Sequence, residues 1–267
     1  MATSEKKNGG GGATTAHTPD YETDPIVVGA DGSPGGEDAV AFAHALVGTG
    51  ARQVIAEGVP FEIGPSAGLI GLALREGAGT LVVGSPHRGR IGRALLGSVA
   101  HHVLHQSPCE VVVAPRGYAR RQHRGIHRIA VAYDGTEEAR TALRRAEALA
   151  RDTGASLHLI VAEDPVVAGI EDGEEFTPLT NAGAVLKAGL ASVAPSIEAD
   201  GETLEPAWRE GRKSIAEALA EACGEGTDVL VAGTRKPLDR LLMGSVTGHL
   251  IDLAPCAVLV VPHEEGG

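Results

Sequence analysis

The chain repeats a domain-sized pattern once, and this repeat limits the possible folds more than any other feature. In the first copy a short apolar run precedes Asp31-Gly32-Ser33, and in the second a similar run precedes Asp134-Gly135-Thr136. A helix-like segment follows each tripeptide and ends after a nearly equal interval, at Gly50 and at Gly154. A repeat of this length predicts two related domains rather than a solenoid, whose units span roughly 20–50 residues.

The two copies also end alike but differ in the middle. Pro108-Cys109 precedes a valine-rich run in the first copy, and Pro255-Cys256 precedes one in the second. Strand-like runs alternate with helix-like segments throughout, which predicts parallel sheets built by right-handed crossovers. The interval from Gly50 to Gly84 is much shorter than that from Gly154 to Gly233. We therefore expect about four strands in the first domain and five in the second, a loss of about one strand–helix unit.

The pattern also predicts the bounds of several elements and of the domains. We expect a helix over Ala39–Val47, a strand near Thr203–Trp208 and a helix over Lys213–Cys223. The arginine-rich joint from Arg116 to Arg124 is predicted to be a solvated linker. The predicted divisions are a disordered tail or tag remnant (1–24), a first domain (25–115), a linker (116–125) and a second domain (126–263).

Composition narrows the class of protein. Aromatic residues make up 3% of the chain, so the core must consist of Val, Leu, Ile and Ala, which suits parallel strands covered by helices. Few aromatic side chains and a net charge of −12 argue against a nucleic-acid partner. The sequence has no apolar run long enough to span a membrane and no signal peptide, so we expect a cytoplasmic protein without a membrane partner.

A glycine-rich segment follows a strand-like run in each copy, from Gly84 to Ser98 and from Gly233 to Ser245. Free backbone N–H groups in such a loop, next to the start of a helix, attract anions. Glycine also allows the backbone to approach a phosphate closely. Both segments are candidate phosphate sites, and the alternative at each is a loop and helix cap with a purely structural role.

This ordered set of motifs resembles the universal stress protein family in its tandem two-domain form. The resemblance rests on the Asp-Gly-Ser/Thr openings, on the Gly-Ser-Val sequences at Gly97 and Gly244, and on the Pro-Cys pairs before the last strands. It implies two Rossmann-like open parallel sheets of the 3-2-1-4-5 type, with ligands beyond the carboxyl ends of the strands. It also implies that the last strands of the two halves pair in an intramolecular pseudo-dimer, and that two chains form a homodimer.

The same resemblance implies ATP as the ligand, held by a Gly-x2-Gly-x9-Gly-(Ser/Thr) loop and by the aspartate that follows the first strand. The first copy has His87 where the second glycine belongs, with Gly89 as a substitute, and it lacks the second strand, which forms an adenine wall in the family. The loop of the second copy is two residues shorter than the motif. We therefore favour the first half for phosphate contacts and do not expect intact sites in both. The implied contact residues are Asp31, Gly84, His87, Gly89, Gly97, Ser98, Asp134, Gly233, Gly244 and Ser245.

The sequence favours a regulatory stress-response protein that binds an adenine nucleotide over an enzyme, because no catalytic set can be assembled from the spacing. One alternative is a member that has lost nucleotide binding and acts as a protein-interaction module, which the two altered loops favour. The other is a slow ATP hydrolase, in which only His87 or Asp31 offers itself to activate water. Fold analogy does not choose between these functions.

Two further groups of residues are of types that bind metal ions or undergo redox reactions. His101 and His105 lie four apart on one predicted helix face, beside His102, which is the spacing of a metal pair. No third ligand is evident in the sequence, so we predict no metal site. The cysteines are predicted to be buried and structural, since they lack metal-type spacing; they are Cys109, Cys223 and Cys256.

Overall fold

A computed structural model describes residues 24–47, 53–57, 64–85, 98–121, 125–162, 182–204, 214–224, 226–235 and 246–263. Strands and helices alternate along this part of the chain. The strands are β1 (Ile26–Ala30), β2 (Gln53–Glu57), β3 (Thr80–Gly84), β4 (Glu110–Ala114), β5 (Arg128–Ala132), β6 (Ser156–Ala162), β7 (Ala199–Leu204), β8 (Val229–Arg235) and β9 (Ala257–His263). The helices are α1 (Pro34–Val47), α2 (Pro65–Glu76), α3 (Ser98–Gln106), α4 (Glu137–Thr153), α5 (Ala182–Ser192), α6 (Ile215–Cys223) and α7 (Val246–Leu253).

The described strands form one continuous sheet in the order β2-β1-β3-β4-β9-β8-β5-β6-β7. All neighbours within each half are parallel, and the halves meet where β4 runs antiparallel to β9. The second half has the order 3-2-1-4-5, and the first half has the same order without its outer strand. The fold is therefore the predicted pair of Rossmann-like open sheets, with a shortened first half. The pairing of the two final strands is the one that the resemblance implies.

The missing unit of the first half is not the one predicted. The second strand was predicted to be missing, but β2 occupies that place and pairs with β1 as β6 pairs with β5. Among its described residues, the first half instead has no counterpart of α5 and β7, the outer strand and the helix before it. In each half the second strand pairs directly with the first. The strand that a shortened half loses is therefore the outer one, which has only one neighbour.

The predicted strand near Thr203–Trp208 is also displaced, because β7 spans Ala199–Leu204. This edge strand is largely exposed and has little of the apolar alternation that identifies strands in sequence. Polar contacts bind it to its neighbour: His158 on β6 lies between Asp200 (Nδ1 to Oδ1, 2.7 Å) and Glu202 (Nε2 to Oε1, 3.1 Å).

Helix α1 begins at Pro34, five residues before the predicted start at Ala39. Ser33 caps it, since its hydroxyl accepts a hydrogen bond from the Gly36 N–H at 3.2 Å. Proline is favourable at the first helical position because its missing N–H is unneeded there.

The core follows from the buried strands. Val27, Val28, Val111, Val112 and Val131 are each 0% exposed, as expected for a sheet covered on both faces. Cystine bridges play no part among the described residues, because the three cysteines are free thiols. In this part of the chain no helix is both long and apolar enough to cross a membrane.

A fully buried ion pair connects the two halves. Arg145 on α4 donates two hydrogen bonds to Glu110 on β4, from Nε to Oε2 at 2.7 Å and from a terminal nitrogen to Oε1 at 2.8 Å. Thr80 on β3 donates a third bond to Oε1 at 2.7 Å. Both charged side chains are 1% exposed. The charges are thus paired across the junction in the bidentate geometry that makes such pairs strongest.

The segment that joins the halves is docked on the first half. Tyr118, in a short 3-10 helix (Tyr118–Arg120), is 1% exposed and its ring lies 4.9 Å from that of Phe42 on α1. The buried carboxylate of Asp38 accepts hydrogen bonds from the N–H groups of Gly117 and Ala119, both at 2.8 Å. The described part of the segment therefore combines exposed arginines with a fixed backbone, and is more than the solvated linker expected.

Replacing Asp38 with alanine is expected to loosen this segment. Two half-buried backbone donors lose their buried acceptor, which costs about 1–3 kcal/mol of stability. We expect a lower denaturation midpoint in urea and faster tryptic cleavage after Arg120 and Arg121. Glu37→Ala is the matched control, because Glu37 is the exposed neighbour on the same helix. Equal cleavage rates for the two variants would contradict the anchoring role of Asp38.

Candidate functional site

The second half contains a cavity of about 350 Å³ at the carboxyl ends of its central strands. It opens between β5 and β8, where the strand order reverses direction. Ligands of open parallel sheets bind at such a reversal, because the loops on either side diverge and leave a crevice. The cavity lies among β5, β6, β8, α4, α6 and α7.

The cavity is apolar on its walls and polar at one side. Ile160, Ile215, Leu219 and Leu250 supply aliphatic surface. The strand ends contribute small side chains, which keep the space open. The remaining lining residues are Ala132, Tyr133, Asp134, Thr136, Glu138, Ala139, Ala162, Ala232, Gly233, Thr234, Val246 and Thr247.

A tight turn positions Asp134 at the mouth of this cavity. Its Oδ1 accepts hydrogen bonds from the backbone N–H of Thr136 at 2.9 Å and from the Thr136 hydroxyl at 2.6 Å. The same hydroxyl oxygen accepts from the Ala139 N–H at 3.2 Å and so caps α4. Because the turn uses one carboxylate oxygen, the carboxylate is held in a fixed orientation at the start of a helix, where its charge is favourable.

The first half repeats this turn. Asp31 Oδ1 accepts from the backbone N–H of Ser33 at 3.0 Å. Hydrogen bonding by the Ser33 side chain, and less by its backbone N–H, lowers the pKa of Asp31 below its usual range, because both stabilise the charged form. Asp31 is therefore a carboxylate at neutral pH, held in the same way as Asp134.

Gly84 and Gly233 have a packing reason to be glycine. A Cβ atom on Gly84 would lie 1.9 Å from the carbonyl oxygen of Gly35, and one on Gly233 would lie 2.2 Å from that of Glu138. In both halves the first turn of the helix after the aspartate presses against the end of the strand. Glycine at these positions is thus required by the fold, whether or not a phosphate binds there.

The structure brings part of the predicted site together. Asp31 and Gly84 lie at the same edge of the first half, at the ends of β1 and β3, and Asp134 and Gly233 lie at the cavity of the second half. Ser98 begins α3. The predicted contacts at His87, Gly89, Gly97, Gly244 and Ser245 lie outside the described residues, as does the side chain of Ser98.

Sequence reasoning missed most of the cavity wall. Thr234 and Thr247 are 9% exposed, and nothing in the sequence distinguishes them from ordinary core threonines. Ile215 and Leu219 are four residues apart, so the apolar face of α6 was the sequence signal from which this part of the wall could be predicted. That signal predicts a buried face but does not tell a cavity from a packed core.

Other reactive groups are also accounted for among the described residues. No group of three or more His, Cys, Asp or Glu side chains there could hold a metal ion. Cys223 and Cys256 are buried as predicted, whereas Cys109 is half-buried. A hydrogen bond with Cys223, together with burial, raises the pKa of Cys256 far above its usual range, which keeps it a thiol.

Comparison with known proteins places this geometry in a family. A sequence model of the Universal stress protein family matches residues 50–115 and 125–262. A universal stress protein of Mycobacterium tuberculosis is 30% identical over 207 residues, which are 74% of this chain and 68% of the relative.

Solved structures agree on the fold. A universal stress protein from Archaeoglobus fulgidus has a TM-score of 0.66 at 16% identity, covering 91% of this chain and 97% of that protein. A protein of Pseudomonas aeruginosa described as a putative universal stress protein has a TM-score of 0.58 at 14% identity, covering 91% and 94%. At these identities the structural likeness shows the fold alone. The two matched segments and the Mycobacterium relative together show that the chain belongs to the universal stress protein family.

Proposed function

We propose that this protein is a cytoplasmic stress-response regulator that binds an adenine nucleotide, ATP, in the cavity of its second half. The observation that carries the proposal is the cavity itself, placed at the reversal of strand order with Asp134 fixed at its mouth. Its volume lies within the roughly 300–1,000 Å³ of small-molecule sites. In this proposal the first domain (25–115) and the second (126–263) share one sheet and differ in ligand binding.

The chemistry of the wall suits a purine with its sugar. Aliphatic side chains such as Ile160, Ile215 and Leu219 bury an aromatic ring, and the Asp134 carboxylate accepts hydrogen bonds from an exocyclic amine or a ribose hydroxyl. In sequence, β8 is followed by Lys236, Arg240 and the glycine of the motif, Gly244, which are the candidate phosphate contacts of this proposal. This differs from the sequence-based preference for the first half, which rested on loop spacing alone.

The second candidate is an interaction module that has lost the nucleotide. Two observations favour it: the segment between Gly233 and Gly244 is shorter than the motif, and Asp134 and Glu138 place two carboxyl groups at the cavity. Acidic groups oppose phosphate binding unless nearby cations offset them. The two candidates differ in one measurable property, the bound ligand.

Binding of ATP is expected to stabilise the chain. At a ligand concentration of about 100 Kd, mass action adds about 2.7 kcal/mol to the free energy of unfolding. The measurement is a thermal melt with and without millimolar ATP, together with analysis of nucleotide extracted from the freshly purified protein. If no nucleotide co-purifies and ATP leaves Tm unchanged, nucleotide binding is ruled out and the interaction module becomes the proposed function.

Two matched variants locate the site. Asp134→Asn is expected to weaken ATP binding by about tenfold to a hundredfold, the loss of a hydrogen bond to a charged group worth about 1.5–3 kcal/mol. Asp31→Asn makes the same change in the equivalent turn of the first half and is expected to leave the affinity unchanged. The reverse result would place the nucleotide in the first half.

A further inference from the structure

Two histidines on one face of α3 point their ring nitrogens at each other. His101 and His105 are four residues apart, and their Nε2 atoms are separated by 3.2 Å. The ring centroids lie 4.3 Å apart, with the ring planes inclined at 52°. The two Nε2 atoms are therefore close enough together to bind a single ion.

The spacing of the two nitrogens matches a metal chelate. In a tetrahedral zinc site the Zn–N distances are about 2.0–2.1 Å, so two ligand nitrogens lie about 3.3 Å apart. We propose that His101 and His105 form a two-histidine site for a divalent transition metal ion that prefers imidazole, with zinc as the representative ion. The ion replaces the hydrogen bond between the rings, which rotate so that both nitrogens face it. Solvent or an anion completes the coordination.

The pair of histidines is accessible, and charged groups surround it. His101 is exposed and His105 half-buried, so an ion reaches the pair from solvent. The carboxylate of Asp252 on α7 favours positive charge at His101, whereas burial and the neighbouring His105 and His102 oppose it more strongly. The chain as a whole carries a net charge of −12. Imidazole suits zinc, copper and nickel, whereas magnesium prefers oxygen ligands and is not expected to bind.

The site belongs to one half of the repeat. The positions of α7 that correspond to His101 and His105 are Gly248 and Asp252, so the second half has no such pair. His102 packs edge-on to His101, with ring centroids 6.2 Å apart, and is not a ligand in this arrangement. The proposal does not depend on nucleotide binding, because the cavity is lined by the second half.

The test is a calorimetric titration of the untagged, metal-stripped full chain with Zn2+ in the absence of nucleotide, with Mg2+ as the control ion. Removing a residue that only supports a metal ligand typically lowers metal affinity by roughly tenfold to a hundredfold. Removing a ligand itself is expected to lower the affinity by more than that. His101→Ala and His105→Ala are therefore each expected to abolish the tightest binding component, and His102→Ala to retain it. Asp252→Asn should weaken it by a few fold, on the order of one screened charge pair.

Nuclear magnetic resonance of the histidine ring protons provides a second measurement on the unmodified chain, so the result does not depend on the folding of variants. Zn2+ is expected to shift the ring signals of His101 and His105 first. Unchanged signals from these two rings at saturating Zn2+ would overturn the proposal. So would isotherms that are identical for the original chain and for the His101→Ala and His105→Ala variants.

Discussion

Replacing Arg145 with alanine is expected to lower the free energy of unfolding by about 3–5 kcal/mol, because it leaves the Glu110 carboxylate buried without its counter-ion. Glu110 is 2% exposed and would keep the hydrogen bond from the Thr80 hydroxyl, which is uncharged. Such a loss is a large share of the roughly 5–15 kcal/mol that stabilises a typical domain. The measurement is equilibrium unfolding in urea.

A double-variant cycle separates the interaction energy of the ion pair from the cost of burying its two charges. Arg145→Leu combined with Glu110→Leu removes both charges, and apolar replacements of buried ion pairs are often neutral or stabilising. The double variant is therefore expected to recover most of the stability lost in either single variant. Additive losses would show that the two side chains act independently, contrary to the bidentate geometry.

The ion pair also makes the junction unequal on its two sides. Counted from the aspartate turns, Arg145 corresponds to Phe42, and Glu110 corresponds to Ala257, the residue after the second Pro-Cys pair. Phe42 and Ala257 are both 0% exposed and belong to one apolar cluster. A pairing of two first halves or of two second halves would place a charge opposite an apolar counterpart. The chemistry of the junction therefore favours the pairing of unlike halves.

The second large effect is expected at Gly84, which ends β3, and at Gly233, near the end of β8. Gly84→Ala and Gly233→Ala each place a Cβ atom against a helix carbonyl oxygen, at 1.9 Å and 2.2 Å before relaxation. Overpacking of this kind costs about 1–3 kcal/mol, and sometimes more, because the contact is with backbone that cannot rotate away. Thermal and urea unfolding of the ligand-free protein are the measurements.

Gly71→Ala is the matched control for these substitutions. Gly71 lies within α2, and a Cβ atom there meets no other atom within 4 Å. Alanine in a helix interior is favoured over glycine by roughly 0.5–1 kcal/mol, so this variant is expected to be more stable. If Gly84→Ala and Gly233→Ala were as stable as the original chain without ligand, the packing explanation for these glycines would be wrong.

The fold was predictable because its signals are local and repeated. The aspartate turns and the valine-rich strands indicate alternating strands and helices, and their recurrence indicates two related halves. Edge positions were less predictable. The first half was wrongly predicted to lack its second strand, because the shortened middle shows that a unit is missing but not which strand pairs with β1. The strand β7 begins four residues before the predicted Thr203–Trp208, because this edge strand has little apolar periodicity. Its position depends on partners such as His158, which are distant in sequence.

The candidate site was predictable only in part. Asp134 and Gly233 were identified from motifs, and the structure places both at one cavity. The wall from α6 and α7 was not identified, because aliphatic residues there have the same pattern as ordinary core residues. The sequence also did not show why glycine is required at Gly233, because the carbonyl group that it contacts belongs to Glu138, far away in the chain.

The sequence alone determined the number of halves, their alternating architecture and the turns that hold Asp31 and Asp134, because each depends on residues close together in the chain. The tertiary structure alone decided which strand the first half lacks, which half holds the described cavity, and how Arg145 meets Glu110 across the junction. Those features depend on distances between segments far apart in sequence. Such distances follow from crossover lengths and packing, for which single residues and their spacing contain no direct signal.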